Sequence, residues 1–326
     1  MNNNILNNAK NAKQDEFYTL FSDIENELTH YVDYFKNAIV YCNCDNPIYS
    51  NFWKYFHLNF SALGLKKLIS THYDKSEPTY KMEYEGGDDN NVEAGTITPL
   101  EGNGDFRNQE CLNLLDESDI VVTNPPFSLF KEYLSILMEH HKKFVIIGNV
   151  NAISYKESFH FLKNNEMWLG YGGNCTMTFR MPDYYELKGS AFIGEDGHKY
   201  IKMGSCAWYT NLDIKKRHDF LNLTERYNPA KYPTYVNYDA INVDKVRDIP
   251  CDYDGVIGVP ITFLSVHNPE QFEIIGNSLE LCGKMSLFAN KGEYMTGGIR
   301  PYIELQNGKY KYKRLYDRLF IKKIIT

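Results

Sequence analysis

Residues 119–127 read Asp119-Ile120-Val121-Val122-Thr123-Asn124-Pro125-Pro126-Phe127, and this stretch decides the fold. Its apolar, β-branched run is typical of a strand buried on both faces of a parallel sheet. The Asn-Pro-Pro turn ends the strand, because proline has no N–H to donate to a neighbouring strand. Apolar residues then recur at helical spacing, at Phe130, Tyr133, Leu134 and Leu137. The stretch therefore predicts a strand, a rigid turn and a helix in succession.

Similar strand–helix units lie on both sides of this stretch. Further strands are predicted at residues 38–45, 65–70 and 144–148, and a further helix at 49–63. Such alternation is typical of an α/β fold with a doubly wound, mainly parallel sheet, whose ligands bind beyond the carboxyl ends of the strands. From about residue 167, aromatic strand-like pieces predict an antiparallel edge. The polar residues 77–95 predict a surface excursion.

Chain length and charge set the domain organisation. The 326 residues exceed what one core supports efficiently, roughly 250–300 residues, so two regions are expected. We predict a flexible arm at 1–13, a catalytic domain at 14–213 and a smaller region at 214–326. A net charge of −7 argues against non-specific coating of nucleic acid, although it leaves room for a local basic face. Without a long apolar run or a signal core, the sequence predicts a soluble, cytoplasmic protein with no membrane partner.

Cysteine and histidine spacing gives no sign of a metal site. The seven cysteines are odd in number and form no Cys-x-x-Cys unit, which favours a reducing compartment. Cys42 and Cys44 are interpreted as small buried hydrophobes. The histidines at 72, 140 and 141 lack a metal-ligand spacing, so no metal is predicted.

A basic run lies near the carboxyl terminus. Between residues 309 and 323 a single acid, Asp317, stands among seven cations, Lys309, Lys311, Lys313, Arg314, Arg318, Lys322 and Lys323. Interleaved tyrosines make this run a candidate strip for phosphate contacts. The alternative is an ordinary solvated face of a final helix or strand, and the sequence favours neither.

The turn Asn124-Pro125-Pro126-Phe127 suits methylation of an amino group conjugated to a ring. Such an amine is a poor nucleophile, so a site must accept hydrogen bonds from both of its N–H groups to localise the lone pair. The Asn124 side-chain oxygen and the Pro125 carbonyl are the predicted acceptors, Pro126 stiffens the turn, and Phe127 offers a stacking face. The alternative is a plain turn between strand and helix. Acidic turns at the ends of earlier strands favour the methyltransferase interpretation.

The chain resembles the EcoRI-type adenine-specific DNA methylases over nearly its whole length. The resemblance is carried, in order, by Asp15 to Thr19, Val40 to Asp45, Gly104 to Arg107, Val121 to Phe130, Ile146 to Ile153 and Val259 to Leu264. It implies a Rossmann-like methyltransferase fold with a carboxyl-terminal DNA-recognition region. It also implies a pocket for S-adenosyl-L-methionine, built from Phe17, Tyr18, Thr19, Asp45, Pro47, Asp105 and Phe106.

Two departures bear on that pocket. The turn Asp45-Asn46-Pro47 stands where most methyltransferases carry a glycine-rich loop. The acid expected to bind the cofactor ribose after the second strand is not evident. Asp74 is one candidate, and an ordinary surface acid is the other reading of this residue.

The resemblance further implies an enzyme that modifies an adenine flipped out of a GAATTC-like motif in double-stranded DNA, as a monomer. The modification would protect DNA from a cognate restriction endonuclease. Two other interpretations remain. One is methylation of a protein glutamine, which uses a similar Asn-Pro-Pro-aromatic turn, and the other is a DNA-binding module that has lost its chemistry.

Overall fold

The computed structural model describes residues 17–75, 79–297 and 300–324. By its contacts the chain divides into two units. The first runs to Ala152 and includes Met167–Ile214, and the second combines Ile153–Glu166 with Lys215–Thr326. The arm predicted at 1–13 lies outside the described residues. The assignment of a catalytic domain to 14–213 and of a recognition region to 214–326 stays a prediction.

A ten-stranded sheet forms the centre of the first unit, as far as the described residues extend. Its strands are β1 (Tyr18–Thr19), β2 (Ile39–Cys42), β3 (Lys67–Thr71), β4 (Tyr80–Tyr84), β5 (Thr96–Pro99), β6 (Ile120–Thr123), β7 (Lys143–Asn149), β8 (Trp168–Arg180), β9 (Ala191–Ile193) and β10 (Lys199–Thr210). They lie in the order β1-β8-β10-β7-β6-β2-β3-β4-β5, and β9 pairs with β10. The central strands β3, β2, β6 and β7 are parallel, whereas both flanks are antiparallel.

The prediction of a mainly parallel sheet is therefore confirmed for the centre, and the antiparallel edge predicted from about residue 167 is confirmed by β8 and β10. The antiparallel strands β4 and β5 at the opposite edge were not predicted. The predicted excursion at 77–95 contains β4, which pairs with β3. Met82 and Tyr84 of this strand are buried, and Glu83 forms ion pairs with Lys67 at 2.6 Å and Lys81 at 2.7 Å. The charged residues of β4, Lys81 and Glu83, are therefore paired within the sheet. For this reason the polar composition of the segment did not predict a strand.

Helices cover both faces of the sheet. On one face lie α1 (Phe21–Leu28), α2 (Val32–Phe35), α3 (Asn51–Leu58) and α4 (Phe60–Leu63), packed on alternate strand residues such as Val40 and Val122. The other face carries α5 (Gln109–Glu117) and α6 (Phe130–Glu139). Phe130 of α6 contacts Tyr209, with ring centroids 5.2 Å apart. Each fully buried side chain of this size contributes about 1.5–3 kcal/mol.

A buried carboxylate joins α1 to β8. Glu27 is only 2% exposed and accepts hydrogen bonds from the backbone N–H groups of Tyr171 and Gly172 at 2.6 and 2.7 Å. The hydroxyl of Tyr31 also donates to it, at 2.8 Å. Two consecutive N–H groups of β8 are thus satisfied by a side chain rather than by a strand.

Two smaller sheets form the second unit within the described residues. The larger contains β11 (Ile241–Asn242), β12 (Ile257–Pro260), β13 (Phe272–Asn277) and β16 (Arg318–Lys323), in the order β11-β12-β16-β13. The other pairs β14 (Tyr302–Glu304) with β15 (Tyr312–Arg314). This unit also contains α7 (Lys156–Lys163) and α8 (Ser278–Leu281). Among the helices formed by described residues, none has the length and apolar character needed to cross a membrane.

Substitution of Gly104 should destabilise the first unit. Gly104 has a φ of +70°, and a Cβ built there would lie 1.9 Å from the carbonyl oxygen of His72. Gly104→Ala is expected to lower the free energy of unfolding by more than about 2 kcal/mol in a urea titration, because steric overlap adds to left-handed strain. Gly197→Ala is the matched control, since Gly197 has a φ of +79° with no neighbour within 4 Å. An equal loss in both variants would contradict the steric argument.

Candidate active site

The turn predicted to be catalytic lies at the carboxyl ends of the parallel strands. Asn124 follows Thr123, which is the last residue of β6 and pairs with Ile146 of β7. Pro126 has extended backbone angles, φ −56° and ψ 121°, and the single helical turn Phe127–Leu129 then leads into α6. Because β2 and β3 are parallel to β6, the turns that follow them share this edge of the sheet.

Asn124 is held in one orientation by the main chain near the start of the described residues. Its Nδ2 donates to the carbonyl of Phe17 at 2.7 Å. Its Oδ1 is buried and accepts no hydrogen bond from any residue that the structure describes. A buried acceptor without a donor costs about 1–3 kcal/mol, so the arrangement favours a ligand that brings an N–H group.

Aromatic rings surround Phe127 and Phe17. Phe127 is half-buried, and its ring centroid lies 6.3 Å from that of Phe179 on β8 in an edge-to-face arrangement. Phe17 lies 6.3 Å from Phe179 and 5.7 Å from Tyr185. Sequence reasoning did not find Phe179 or Tyr185. Only the strand-like pattern of residues 176–180 hinted that this segment adds to the sheet.

Asp45 is buried, and its carboxylate is hydrogen-bonded. Ser50 Oγ donates to its Oδ1 at 2.8 Å, and the hydroxyl of Thr123 donates to its Oδ2. The backbone N–H of Asn124 is a further donor. Burial outweighs these donors and raises the pKa of Asp45 to about 6. Neither Ser50 nor Thr123 was a predicted site residue.

The predicted cofactor segment at β1 presents a hydroxyl and an aromatic surface. Thr19 is 3% exposed, and within the described chain its Oγ1 has no hydrogen-bond partner. The carbonyl of Thr19 accepts from Asn51 Nδ2 at 2.7 Å, which joins β1 to α3. The rings of Tyr18 and Tyr49 lie 6.2 Å apart, and Tyr49 is 57% exposed. Pro47, in the turn that follows β2, is buried.

Asp105 and Phe106 both contact Arg107. The guanidinium donates to the Asp105 carboxylate through Nε at 2.8 Å and Nη2 at 2.5 Å, and its Nη1 lies 3.2 Å from Glu132. Arg107 therefore holds the pKa of Asp105 below its ordinary value. The Phe106 ring is 6% exposed and packs edge-on against Tyr133 at 5.0 Å. Little of that ring faces outward, and its contact with a ligand stays a prediction.

The end of β3 meets the turn that follows β5. The N–H of Asp74 donates to the carbonyl of Asn103 at 3.2 Å, and the Asp74 side chain is half-buried. His72 Nδ1 is buried without a partner in the described residues, and burial lowers the pKa of His72. The Tyr80 ring lies 5.1 Å from the His72 ring. Among described residues, no group of three His, Cys, Asp or Glu side chains could hold a metal ion.

The basic run at 309–323 is not one continuous strip. Arg318 is buried, with Nη2 3.0 Å from Asp244 and Nε 3.2 Å from Asn242. The Lys323 side chain is 14% exposed and donates to a backbone carbonyl. These two cations stabilise the second unit, which favours the structural alternative for them. Lys309, Lys313 and Lys322 are exposed.

Comparison with known proteins identifies relatives over most of the chain. Residues 5–324 match the family described as Adenine-specific methyltransferase EcoRI. Type II methyltransferase M.EcoRI of Escherichia coli is 50% identical over 289 residues, covering 84% of this chain and 89% of that protein. M.MpnI of Mycoplasma pneumoniae is 41% identical, covering 83% and 84%, and M.MgeORF184P of Mycoplasma genitalium is 38% identical, covering 98% of each. No solved structure matches the chain.

Stability should fall as pH rises through the titration of Asp45. Because its pKa is raised from 3.8 to about 6, the folded protein binds this proton more tightly than the unfolded chain. The stabilisation, about 3 kcal/mol, is fully present below about pH 4 and is lost as pH rises through about 6.

In urea titrations between about pH 4 and pH 7, the free energy of unfolding should therefore fall more steeply with pH for the wild type than for Asp45→Asn. Burial also raises the pKa values of Asp23 and Glu27, and those groups contribute the same slope to both proteins. Parallel pH profiles would contradict the assignment to Asp45.

Proposed function

The chain belongs to the family of EcoRI-type adenine-specific methyltransferases, and on that premise we propose that it methylates the exocyclic amino group of adenine in double-stranded DNA, with S-adenosylmethionine as donor. Family membership supports the methyl acceptor and the use of a methyl donor. The observation that carries the site is the buried Oδ1 of Asn124 at the carboxyl edge of the sheet, an acceptor for which the described residues provide no donor.

Asn124 and Pro125 raise the nucleophilicity of the target amine. One N–H of the adenine amino group donates to Asn124 Oδ1 and the other to the Pro125 carbonyl, which localises the nitrogen lone pair. When bound, S-adenosylmethionine would supply a methyl group on a sulfonium, which the localised lone pair would attack with S-adenosylhomocysteine as the leaving group. The extra proton then leaves the nitrogen for water. Phe127 stacks on the base, and the rate gain comes from alignment and placed dipoles.

The residues around β1 and the turn after β2 fit the proposed methyl donor. The unpartnered Thr19 hydroxyl suits the amino-acid end of S-adenosylmethionine, and the exposed ring of Tyr49 suits its adenine. Asn46 and Asp105 add polar groups at the same edge. This placement supports a Rossmann-like methyltransferase fold for the first unit, because such folds bind ligands at the carboxyl ends of their parallel strands.

The DNA contacts follow from the need to flip the target base. An adenine inside a duplex cannot reach Asn124, and its extrusion costs a few kcal/mol that DNA contacts must offset. We assign base reading to residues beyond about 165, and phosphate contacts to residues 214–326. The motif would be GAATTC or a related AT-centred hexamer, modified in the cytoplasm by a single copy of the chain and protected from a cognate endonuclease.

Asn124→Ala should abolish most of the methyl transfer. Removing the oriented acceptor is expected to lower the rate by at least about 100-fold, measured as tritiated methyl passing from S-adenosylmethionine to unmethylated DNA. Asn113→Ala, at an exposed asparagine on α5, is the matched control and should keep the wild-type rate. A wild-type rate in Asn124→Ala would refute the assignment, and label in protein instead of DNA would favour a glutamine methylase.

The exposed lysines of the basic run should determine part of the salt dependence. Replacing Lys309 and Lys313 with alanine is expected to weaken DNA binding and to reduce the slope of log K against log salt by about 0.9 for each lost phosphate contact. Lys231→Ala is the control, because Lys231 is paired with Glu225 at 2.7 Å. An unchanged slope in the double variant would exclude phosphate contacts by these two lysines.

A further inference from the structure

The Asp45 carboxylate is directed into the protein, toward the catalytic turn. Asp45 is buried, and the donors to its carboxylate are Ser50 in the turn before α3, Thr123 at the end of β6 and the N–H of Asn124. The carboxylate therefore connects the turn after β2 with the turn after β6. A carboxylate in this environment is stable only while its donors stay in place.

We propose that Asp45 is a positioning residue for Asn124 and does not itself contact the methyl donor. This inference rests on the proposed function. It replaces the expectation from the sequence that Asp45 binds the cofactor. The carboxylate fixes the main chain at Thr123 and Asn124, while the Phe17 carbonyl fixes the Asn124 amide. Asn124 is thus held by two separate elements, one for its backbone and one for its side chain.

A positioning role of Asp45 affects the rate of the chemical step and leaves the affinity for the cofactor unchanged. A displacement of about 1 Å of a catalytic group can cost roughly 100-fold in rate, because the reacting atoms leave their aligned geometry. Loosening the hydrogen bonds of the Asp45 carboxylate should therefore slow methyl transfer. Affinity for the cofactor should hardly change, since the groups proposed to bind it, such as Thr19 and Tyr49, are left intact.

The test weakens one contact of Asp45 at a time. Thr123→Val removes the hydroxyl that donates to Asp45 and keeps the side-chain shape, whereas Thr123→Ser restores a hydroxyl. Ser70→Ala is the matched control, because the Ser70 hydroxyl donates to the Asp45 backbone carbonyl at 2.5 Å and leaves the carboxylate contacts intact. The measurements are the single-turnover rate of DNA methylation and the Kd for S-adenosylhomocysteine by calorimetry.

We expect Thr123→Val to slow the single-turnover rate by about 10- to 100-fold, with Kd within about threefold of the wild type. Thr123→Ser and Ser70→Ala should keep the rate within about threefold of the wild type. A weaker Kd at an unchanged rate would instead make Asp45 a cofactor contact and overturn the proposal. Wild-type behaviour of Thr123→Val in both measurements would also overturn it.

Asp45→Asn provides a second test. The Ser50 and Thr123 hydroxyls donate to different oxygens of the Asp45 carboxylate. An asparagine cannot accept from both in this way, because one of its two terminal atoms is a donor. A folded Asp45→Asn protein should therefore lose rate and keep its affinity for S-adenosylhomocysteine. If the wild type itself transfers no methyl to DNA, the proposed function fails. If the wild type is active and both variants match its rate, only the positioning role fails.

Discussion

The edge of the first unit that carries the proposed active site depends on a negative charge that the fold has taken out of water. Asp45 is buried, and burial of a carboxylate costs several kcal/mol unless hydrogen bonds compensate for the lost solvent. Ser50 and Thr123 provide part of that compensation, and Ser50 also caps α3 by accepting from the N–H of Phe52 at 3.0 Å. A single carboxylate thus joins the start of a helix to the end of a central strand. Its environment fixes where the following residue, Asn124, can lie.

The antiparallel flank complements this arrangement. β10 pairs with β7 only from Cys206 to Thr210, so its first part extends past Asn149, where β7 ends. β8 accompanies it and brings Phe179 beside Phe127 and Phe17. The parallel strands therefore supply the polar groups of the site, and the antiparallel strands supply an aromatic wall. The division follows from topology, because only strands that run past the parallel edge can flank a turn located there.

The sequence predicts those parts of the fold whose signals are local. β6 and β7 can be predicted from the sequence, because burial on both faces requires an unbroken apolar run. The turn at Asn124 can be predicted because proline ends a strand. β4 was missed because its charged residue Glu83 is paired with Lys67 on the neighbouring strand β3 and with Lys81 on the same strand. Likewise, an acid after a strand normally faces a ligand. Asp45 instead turns inward, because its carboxylate accepts a hydrogen bond from Thr123, 78 positions away. No local sequence pattern predicts such a pairing.

The position of Glu27 has a consequence for how the protein behaves at high concentration. A strand with unpaired N–H groups is a template on which another chain can add, and this is a common route to aggregation. On β8 the N–H groups of Tyr171 and Gly172 already donate to the Glu27 carboxylate. An incoming strand would have to displace that carboxylate and leave a charge without donors in a site that is 2% exposed. The side chain that anchors α1 therefore also discourages edge-to-edge growth of the folded protein.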